Sequence, residues 1–171
     1  EGRTRVALYL AESLADNLAG RFLLADAGGA RAALHGIYGL DHEVGLIQVL
    51  RGEATLAEAV RPTTRENLDV LPQGPGELVV GETAAEPAIA RMLAEVRSDY
   101  QAVVFDTGPL LEAQEALVFA HSVQALLLVV LAGSTQGEVL ARAYRLLQRT
   151  RAQVLGVVIN DPRGEFVRDE R

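Results

Sequence analysis

The sequence predicts an α/β fold: a three-layer sandwich in which a mostly parallel sheet is covered by helices on both faces. Three observations carry that expectation. Near-continuous apolar runs at 21–25, 100–105, 125–131 and 154–159 read as strands buried on two faces. Segments with apolar residues at helical spacing separate them, and this alternation is the signature of a covered parallel sheet. Three of the strands run into a polar residue, Asp26, Asp106 and Asn160. Open α/β sheets bind ligands at the carboxyl ends of their strands, so these three mark the expected crevice.

The elements follow in order. Residues 4–18 carry Val6, Leu10, Leu14 and Leu18 on one helical stripe, with Ala7 and Ala11 beside it, and the helix stops near Gly20. Residues 21–25 form a short buried strand ending at Asp26, and the glycines that follow make a loop. A helical segment covers about 32–38. Two short helices are expected at about 44–51 and 55–60, where Thr55 and Glu58 have the spacing of a capping box. Residues 68–71 read as a strand, closed by Pro72-Gln73-Gly74-Pro75-Gly76. Then come a helix at about 84–97, the strand into Asp106, a helix at about 112–120, a fully buried strand at 125–131, a long helix at 136–150 and a last buried strand at 154–159. Residues 161–171 form a polar, frayed tail.

A chain of 171 residues, 49% hydrophobic, is one domain with a sizeable core. No linker, internal repeat or low-complexity tract divides it. The net charge of −7 argues against generic nucleic-acid binding, which needs phosphate neutralisation. All sixteen basic residues are arginine, so a lysine base and a Schiff base are excluded within these residues. The absence of cysteine excludes disulfides, thiol catalysis and cysteine-bound metal. The apolar run at 125–132 is far shorter than the roughly 20 residues that span a bilayer. Residues 1–5 are polar with no apolar run after them, so a secretory leader is not expected in this stretch. A cytoplasmic domain without direct membrane insertion is expected, tied to the inner membrane through a partner or an upstream region.

Residues 103–107, Val-Val-Phe-Asp-Thr, fit the pattern of an apolar strand ending in a carboxylate that holds Mg²⁺. The alternative role for Asp106 is capping the following turn. Gly2-Arg3-Thr4 opens a helix, where backbone N–H groups and the helix dipole favour phosphate. The histidines read as solvated or capping groups: His35 and His42 flank a loop, and His121 ends a helix. Tyr9 and Tyr144 read as packing residues. Arg142, Arg145 and Arg149 form a basic helical stripe, a solvated face or a seat for an acidic partner.

The middle of the chain adds a resemblance. The stretch VGLIQVLRGEATLAEAVRPT at 44–63, LDVLPQGP at 68–75, Phe105-Asp106-Thr107 and LLLVVLAGST at 126–135 are collinear with the bacterial tyrosine kinase (BY-kinase) family. These are ATPase domains related to MinD and ParA that accompany polysaccharide co-polymerases. The resemblance implies a P-loop NTPase-like domain over 1–160 that lacks its first strand here. It implies Mg-ATP or Mg-ADP as cofactor. The family's Gly-Lys-Thr falls on Gly2-Arg3-Thr4. Nucleotide binding is thereby assigned to Gly2, Arg3, Thr4, Arg5 and Asn160. Catalysis falls to Asp26 and Asp106, and Mg²⁺ to Thr4, Asp26 and Asp106. Expected partners are the cytoplasmic part of a membrane polysaccharide co-polymerase, or sister subunits in an oligomer.

Three departures from the family pattern stand together. Arginine replaces the phosphate-binding lysine at Arg3, and a planar guanidinium is not a point charge. Gly28 stands where a second carboxylate follows the one at Asp26. The tail holds no tyrosine cluster. The resulting expectation is a degenerate, pseudokinase-like regulator or scaffold in capsule or exopolysaccharide export, with weak or no ATP turnover. The alternative is an active Mg-ATP-dependent tyrosine kinase of the same system. A partitioning ATPase of the MinD/ParA type fits the 44–63 stretch least well.

Overall fold

The computed structural model describes residues 2–41, 43–78 and 85–161; His42, residue 84 and the predicted tail from 162 onward lie outside them. In chain order the elements are α1 (Arg3–Asn17), β1 (Phe22–Ala27), a 3-10 turn (Gly29–Arg31), α2 (Leu34–Tyr38), α3 (Leu46–Arg51), α4 (Leu56–Ala59) and β2 (Arg61–Pro62). They continue with β3 (Leu68–Leu71), α5 (Ala85–Val96), β4 (Ala102–Thr107), α6 (Gln114–Ser122), β5 (Ala125–Leu131), α7 (Gly137–Leu147) and β6 (Gln153–Asn160).

The predicted architecture is present. β1 is buried along its whole length and pairs in parallel with β3 and with β4. Its alternate residues feed two cores, as the two-residue period of a strand requires. Phe22 and Leu24 pack with Ala7, Ala11, Ala15 and Leu34 on one face. Leu23 and Ala25 pack with residues of α3, α4, α5 and α6 on the other. Those are the three layers. The antiparallel β2, only two residues long, was below the reach of periodicity.

Several packing expectations need correction. The large stripe of α1 is not its buried face: Ala7, Ala11 and Ala15 are buried, while Leu18 is 53% exposed. Small residues let the helix lie close against the sheet. Tyr9 and Tyr144 are exposed rather than packed. Among the described residues the strands form two sheets, β2-β3-β1-β4 and a separate parallel pair β5-β6. Neither strand of that pair is fully buried, and Leu155 and Ile159 of β6 lie open.

Local chemistry explains several ends. The capping box at α4 is formed: Glu58 N donates to Thr55 Oγ1 at 3.3 Å, and Thr55 N donates to Glu58 Oε2 at 2.8 Å. Between β3 and α3, Gln48 Oε1 accepts from Gly45 N and its Nε2 donates to the Pro75 carbonyl. That side chain pins the Pro72–Gly76 loop to the start of α3.

Candidate functional site at the carboxyl ends of β1, β4 and β6

Register decides the centre of the site. Asp26 in β1 stands directly opposite Asp106 in β4, so both carboxylates project on one face of the sheet. That face also carries α1. Thr4, in the first turn of α1, hydrogen-bonds the Asp106 carboxylate. Arg3 Nε donates to the carbonyl of Thr107, the last residue of β4, at 3.2 Å. Gly2 precedes α1 with φ 84°, a left-handed value, and a Cβ there would sit 2.1 Å from Asn160 Nδ2. The left-handed conformation favours glycine at this point, and any larger residue would push the Asn160 side chain aside. The structure therefore brings Gly2, Arg3, Thr4, Asp26, Asp106 and Asn160 together from residues up to 158 apart in sequence. Arg5, exposed on the first turn of α1, forms no hydrogen bond or ion pair with either carboxylate.

The two carboxylates are held differently. Asp106 is 4% exposed, and burial pushes its pKa above the ordinary carboxylate range. Asp26 adds to that shift by repulsion, while the Thr4 hydrogen bond and Arg3 oppose it. Asp26 is completely buried and both its oxygens accept hydrogen bonds. Oδ1 accepts from Gly28 N at 3.1 Å; Oδ2 accepts from Ala33 N at 2.9 Å and from Leu34 N at 2.8 Å. The loop after β1 folds back so that the start of α2 closes over the carboxylate. Gly28, the position expected to be a second carboxylate, lies inside this fold. A Cβ there would approach Asp26 Oδ1 at 3.1 Å and Ala32 N and Cα at 3.2 Å.

The donor set can be tested for a Mg-nucleotide. Thr4 hydroxyl and Asp106 carboxylate are hard oxygen donors of the kind Mg²⁺ prefers. α1 opens without a side-chain cap and with no acidic residue in its first turn. Its N-terminal N–H groups thus present partial positive charge toward an anion. The residues fit the group, with Asp26 the exception.

The remaining predicted positions take bland roles. His121 Nδ1 lies 3.4 Å from Glu86 Oε1, and exposed Glu112 pairs with Arg31. His35 borders the loop after β1 on the inner side of α2. Arg142 and Arg145 lie exposed on α7, which ends at Leu147, and Arg149 is exposed in the turn beyond it, so the expected stripe is shorter than the sequence suggested. Sequence reading missed a polar cluster at the opposite, amino end of the sheet. Buried Asp69 accepts from Arg21 Nη2 at 2.5 Å and from Tyr100 Oη at 2.8 Å, and the Arg21 guanidinium stacks over the Tyr100 ring. Burial, then the Asp69 hydrogen bond, pushes the Tyr100 phenol up to about 12. Its place away from the crevice makes it a brace for β1, β3 and β4. The three partners are dispersed along the chain, so no spacing signals it.

Comparison with known proteins agrees with this geometry. Residues 1–155 match the AAA domain family. The chain belongs to that family. Within it, the BY-kinase resemblance holds. Tyrosine-protein kinase YwqD of Bacillus subtilis (strain 168) is 29% identical over 160 residues, covering 94% of this chain and 67% of YwqD. The succinoglycan biosynthesis transport protein ExoP of Rhizobium meliloti (strain 1021) is 28% identical over 163 residues, covering 94% of this chain and 21% of ExoP. The solved structure of the chimerical protein CapA2B2 superposes with a TM-score of 0.81 at 26% identity, covering 93% of this chain and 70% of that one. A cobyrinic acid a,c-diamide synthase from Mycobacterium smegmatis shares the fold, with a TM-score of 0.73 and 21% identity over 92% of this chain and 69% of its own. It holds an ATP analogue and magnesium. The chain thus spans about two thirds of YwqD and a fifth of ExoP. No helix among the described residues is long and apolar enough to cross a membrane.

Proposed function

We propose that this domain binds Mg-ATP or Mg-ADP, turns it over weakly or not at all, and acts as a regulator or scaffold in capsule or exopolysaccharide biosynthesis and export. The observation that carries this reading is the state of Asp26. A catalytic or metal-organising carboxylate needs lone pairs to offer, and the backbone N–H groups of Gly28, Ala33 and Leu34 take three of the roughly four that Asp26 has. Its companion position is Gly28, which has no side chain. Arg3 replaces an ammonium with a guanidinium whose Nε is engaged by the Thr107 carbonyl.

Binding and turnover separate on these grounds. Thr4 and Asp106 would hold Mg²⁺, the α1 N-terminus with Gly2 and Arg3 would receive phosphate, and Asn160 would meet the base. Magnesium supplies charge neutralisation at the phosphates when bound. Phosphoryl transfer to a tyrosine also needs a group that takes the phenolic proton. Removing one charge-stabilising group typically costs about a hundredfold or more in rate. The partner is the cytoplasmic part of a membrane polysaccharide co-polymerase, or sister subunits. The names of YwqD and ExoP support both halves of this reading, kinase ancestry and polysaccharide transport.

The test is a calorimetric titration of Mg-ATP and Mg-ADP together with a labelled-phosphate transfer assay on the natural full-length chain. Binding without tyrosine phosphorylation is expected. ATP-dependent phosphorylation of tyrosine would replace the proposal with the active-kinase reading, which the intact Thr4–Asp106 pair favours. No binding at millimolar nucleotide would leave only the scaffold role.

A further inference from the structure

A cavity of about 390 Å³ opens at the carboxyl ends of the neighbouring strands β1 and β3. Gly29, Ala30 and Ala32, from the loop after β1, line it on one side, with His35 of α2 beside them. Gln73, Gly76 and Glu77, from the loop after β3, line it on the other. Its size falls in the range of small-ligand sites. The first side has almost no side chain, so the space is left open rather than filled.

The second side carries a polar atom with nothing to do. Gln48 Nε2 holds this loop through the Pro75 carbonyl at 3.0 Å, and Gln73 Nε2 donates to the Gly76 carbonyl at 3.3 Å. The Gly76 bond fixes which end of the Gln73 amide is the acceptor. That acceptor, Oε1, is buried in a residue only 5% exposed and has no hydrogen-bond partner among the described residues. A buried acceptor without a donor is costly, and such a group in a folded protein calls for an explanation.

The lining chemistry names the donor. Glu77, exposed at the mouth, adds a carboxylate that only accepts when ionised. No arginine lines the cavity, and the chain contains no lysine. Arg31 pairs with Glu112 at 3.3 Å, and Arg51 donates to the backbone carbonyl of Glu77 at 3.1 Å. An occupant must therefore donate hydrogen bonds and carry positive charge, the opposite of a phosphate. One acceptor is buried and neutral and the other is exposed and charged, which suits a guanidinium better than an ammonium. A guanidinium is planar, offers five donors in a fork, and is more weakly hydrated, so it gives up water more readily to meet a buried amide oxygen. Ala30, Gly76 and Glu77 are exposed, so a partner's backbone can stay outside while its side chain enters.

We propose that this cavity is a docking pocket for an arginine side chain presented by a partner protein, its guanidinium donating to Gln73 Oε1 and facing the Glu77 carboxylate. The small-residue side belongs to the loop that covers Asp26, so the occupant packs against that cover. The inference stands apart from the nucleotide reading, since none of these residues is assigned to Mg²⁺, phosphate or base.

The experiment titrates four probes into the natural full-length chain without nucleotide, followed by nitrogen-15 NMR of the Gln73 side-chain amide and by calorimetry. The probes are N-acetyl-arginine amide, N-acetyl-lysine amide, N-acetyl-citrulline amide and methylguanidine. For a probe of that size a Kd of about 1 mM is expected for the arginine amide. The other three are expected to bind at least about fivefold more weakly. Gln73→Leu, which removes the buried acceptor at similar volume, is expected to weaken the arginine probe about tenfold. Glu77→Gln, at an exposed position that leaves the fold intact, is expected to weaken it about threefold. Absence of arginine binding at ten times the expected Kd would overturn the proposal. Equal binding of the citrulline probe would overturn it in favour of a neutral donor, equal binding of the lysine probe in favour of any cation, and equal binding of methylguanidine in favour of a free guanidino compound. Unchanged affinity in both variants would place the probe elsewhere and overturn it as well.

Discussion

Replacing Asp26 by alanine separates a structural carboxylate from a catalytic one. Its oxygens accept three backbone N–H groups, two of them in fully buried contacts. Each buried donor left without an acceptor costs about 1–3 kcal/mol. Ala33 N is only partly buried, so water can replace the lost oxygen there. Removing the charge beside Asp106 also relieves repulsion that raises the Asp106 pKa. The net loss is therefore about 3 kcal/mol, a large share of a typical 5–15 kcal/mol total. For a chain of this size that is a fall in Tm of roughly 6–12 °C. Asp26→Asn keeps one acceptor oxygen and turns the other into a donor facing N–H groups, so about half the loss is expected.

Urea denaturation followed by circular dichroism measures this directly, since a lower midpoint with an unchanged slope reports stability alone. A loss below about 1 kcal/mol for Asp26→Ala would refute the reasoning, being smaller than one buried orphan donor. The Asp26 lone pairs would then be available to metal or substrate. The turnover-deficient reading would lose the observation that carries it.

Asp106→Asn should stabilise the domain at neutral pH while weakening Mg-nucleotide binding at least tenfold, read by calorimetry. The sign follows from linkage: native Asp106 holds its proton to higher pH than the unfolded chain does. Stability therefore falls as pH rises from the ordinary carboxylate range through the raised value, and the variant loses that part of the slope. Tyr100, pushed up to about 12, should ionise late in an absorbance titration, and Asp69→Asn should bring that transition down. Native Tyr100 keeps its proton longer than an unfolded tyrosine, so stability is lost as pH rises from about 10 toward 12, and Tyr100→Phe should flatten that loss. Gly45→Ala would drive a Cβ to 2.3 Å from Gly74 N and the Pro72 carbonyl. A loss of about 1–3 kcal/mol in the urea midpoint is expected from that overpacking.

The layer order and nearly every element were legible because they depend on local periodicity. What escaped was non-local. Two stripes run along α1, one of large residues and one of alanines, and periodicity alone favours the large one. Close approach to the sheet selected Ala7, Ala11 and Ala15, and turned Val6, Leu10 and Leu14 toward a cavity lined by β4 and β5. β5 was read as fully buried from composition, which reports the environment a strand needs rather than the neighbours it has here. Asp26 and Asp106 were legible as strand-end carboxylates. The difference between them was not, because it lies in backbone groups of residues 28, 33 and 34 that any residue but proline supplies.

The departure at Gly28 and the hydrogen bonding of Asp26 are physically linked. A side chain at position 28 would press on Asp26 Oδ1 and on the Ala32 backbone. The close fold of residues 28–34 over Asp26 is thus tight around the glycine, and a side chain there would make its neighbours give by a few tenths of an ångström. With glycine there, the N–H groups of Gly28, Ala33 and Leu34 reach the carboxylate and it becomes a keystone of the loop. A carboxylate at 28 would crowd that loop and add a second negative charge beside the first, releasing Asp26 only as the fold around it opens. The absence of a side chain at Gly28 and the tight hold on Asp26 are then aspects of one local packing arrangement. Thr4 and Asp106, on other elements, are untouched by it. Under the proposed function, such a site keeps the groups that suit a magnesium–phosphate pair and offers no free carboxylate at Asp26 or Gly28 to move a proton.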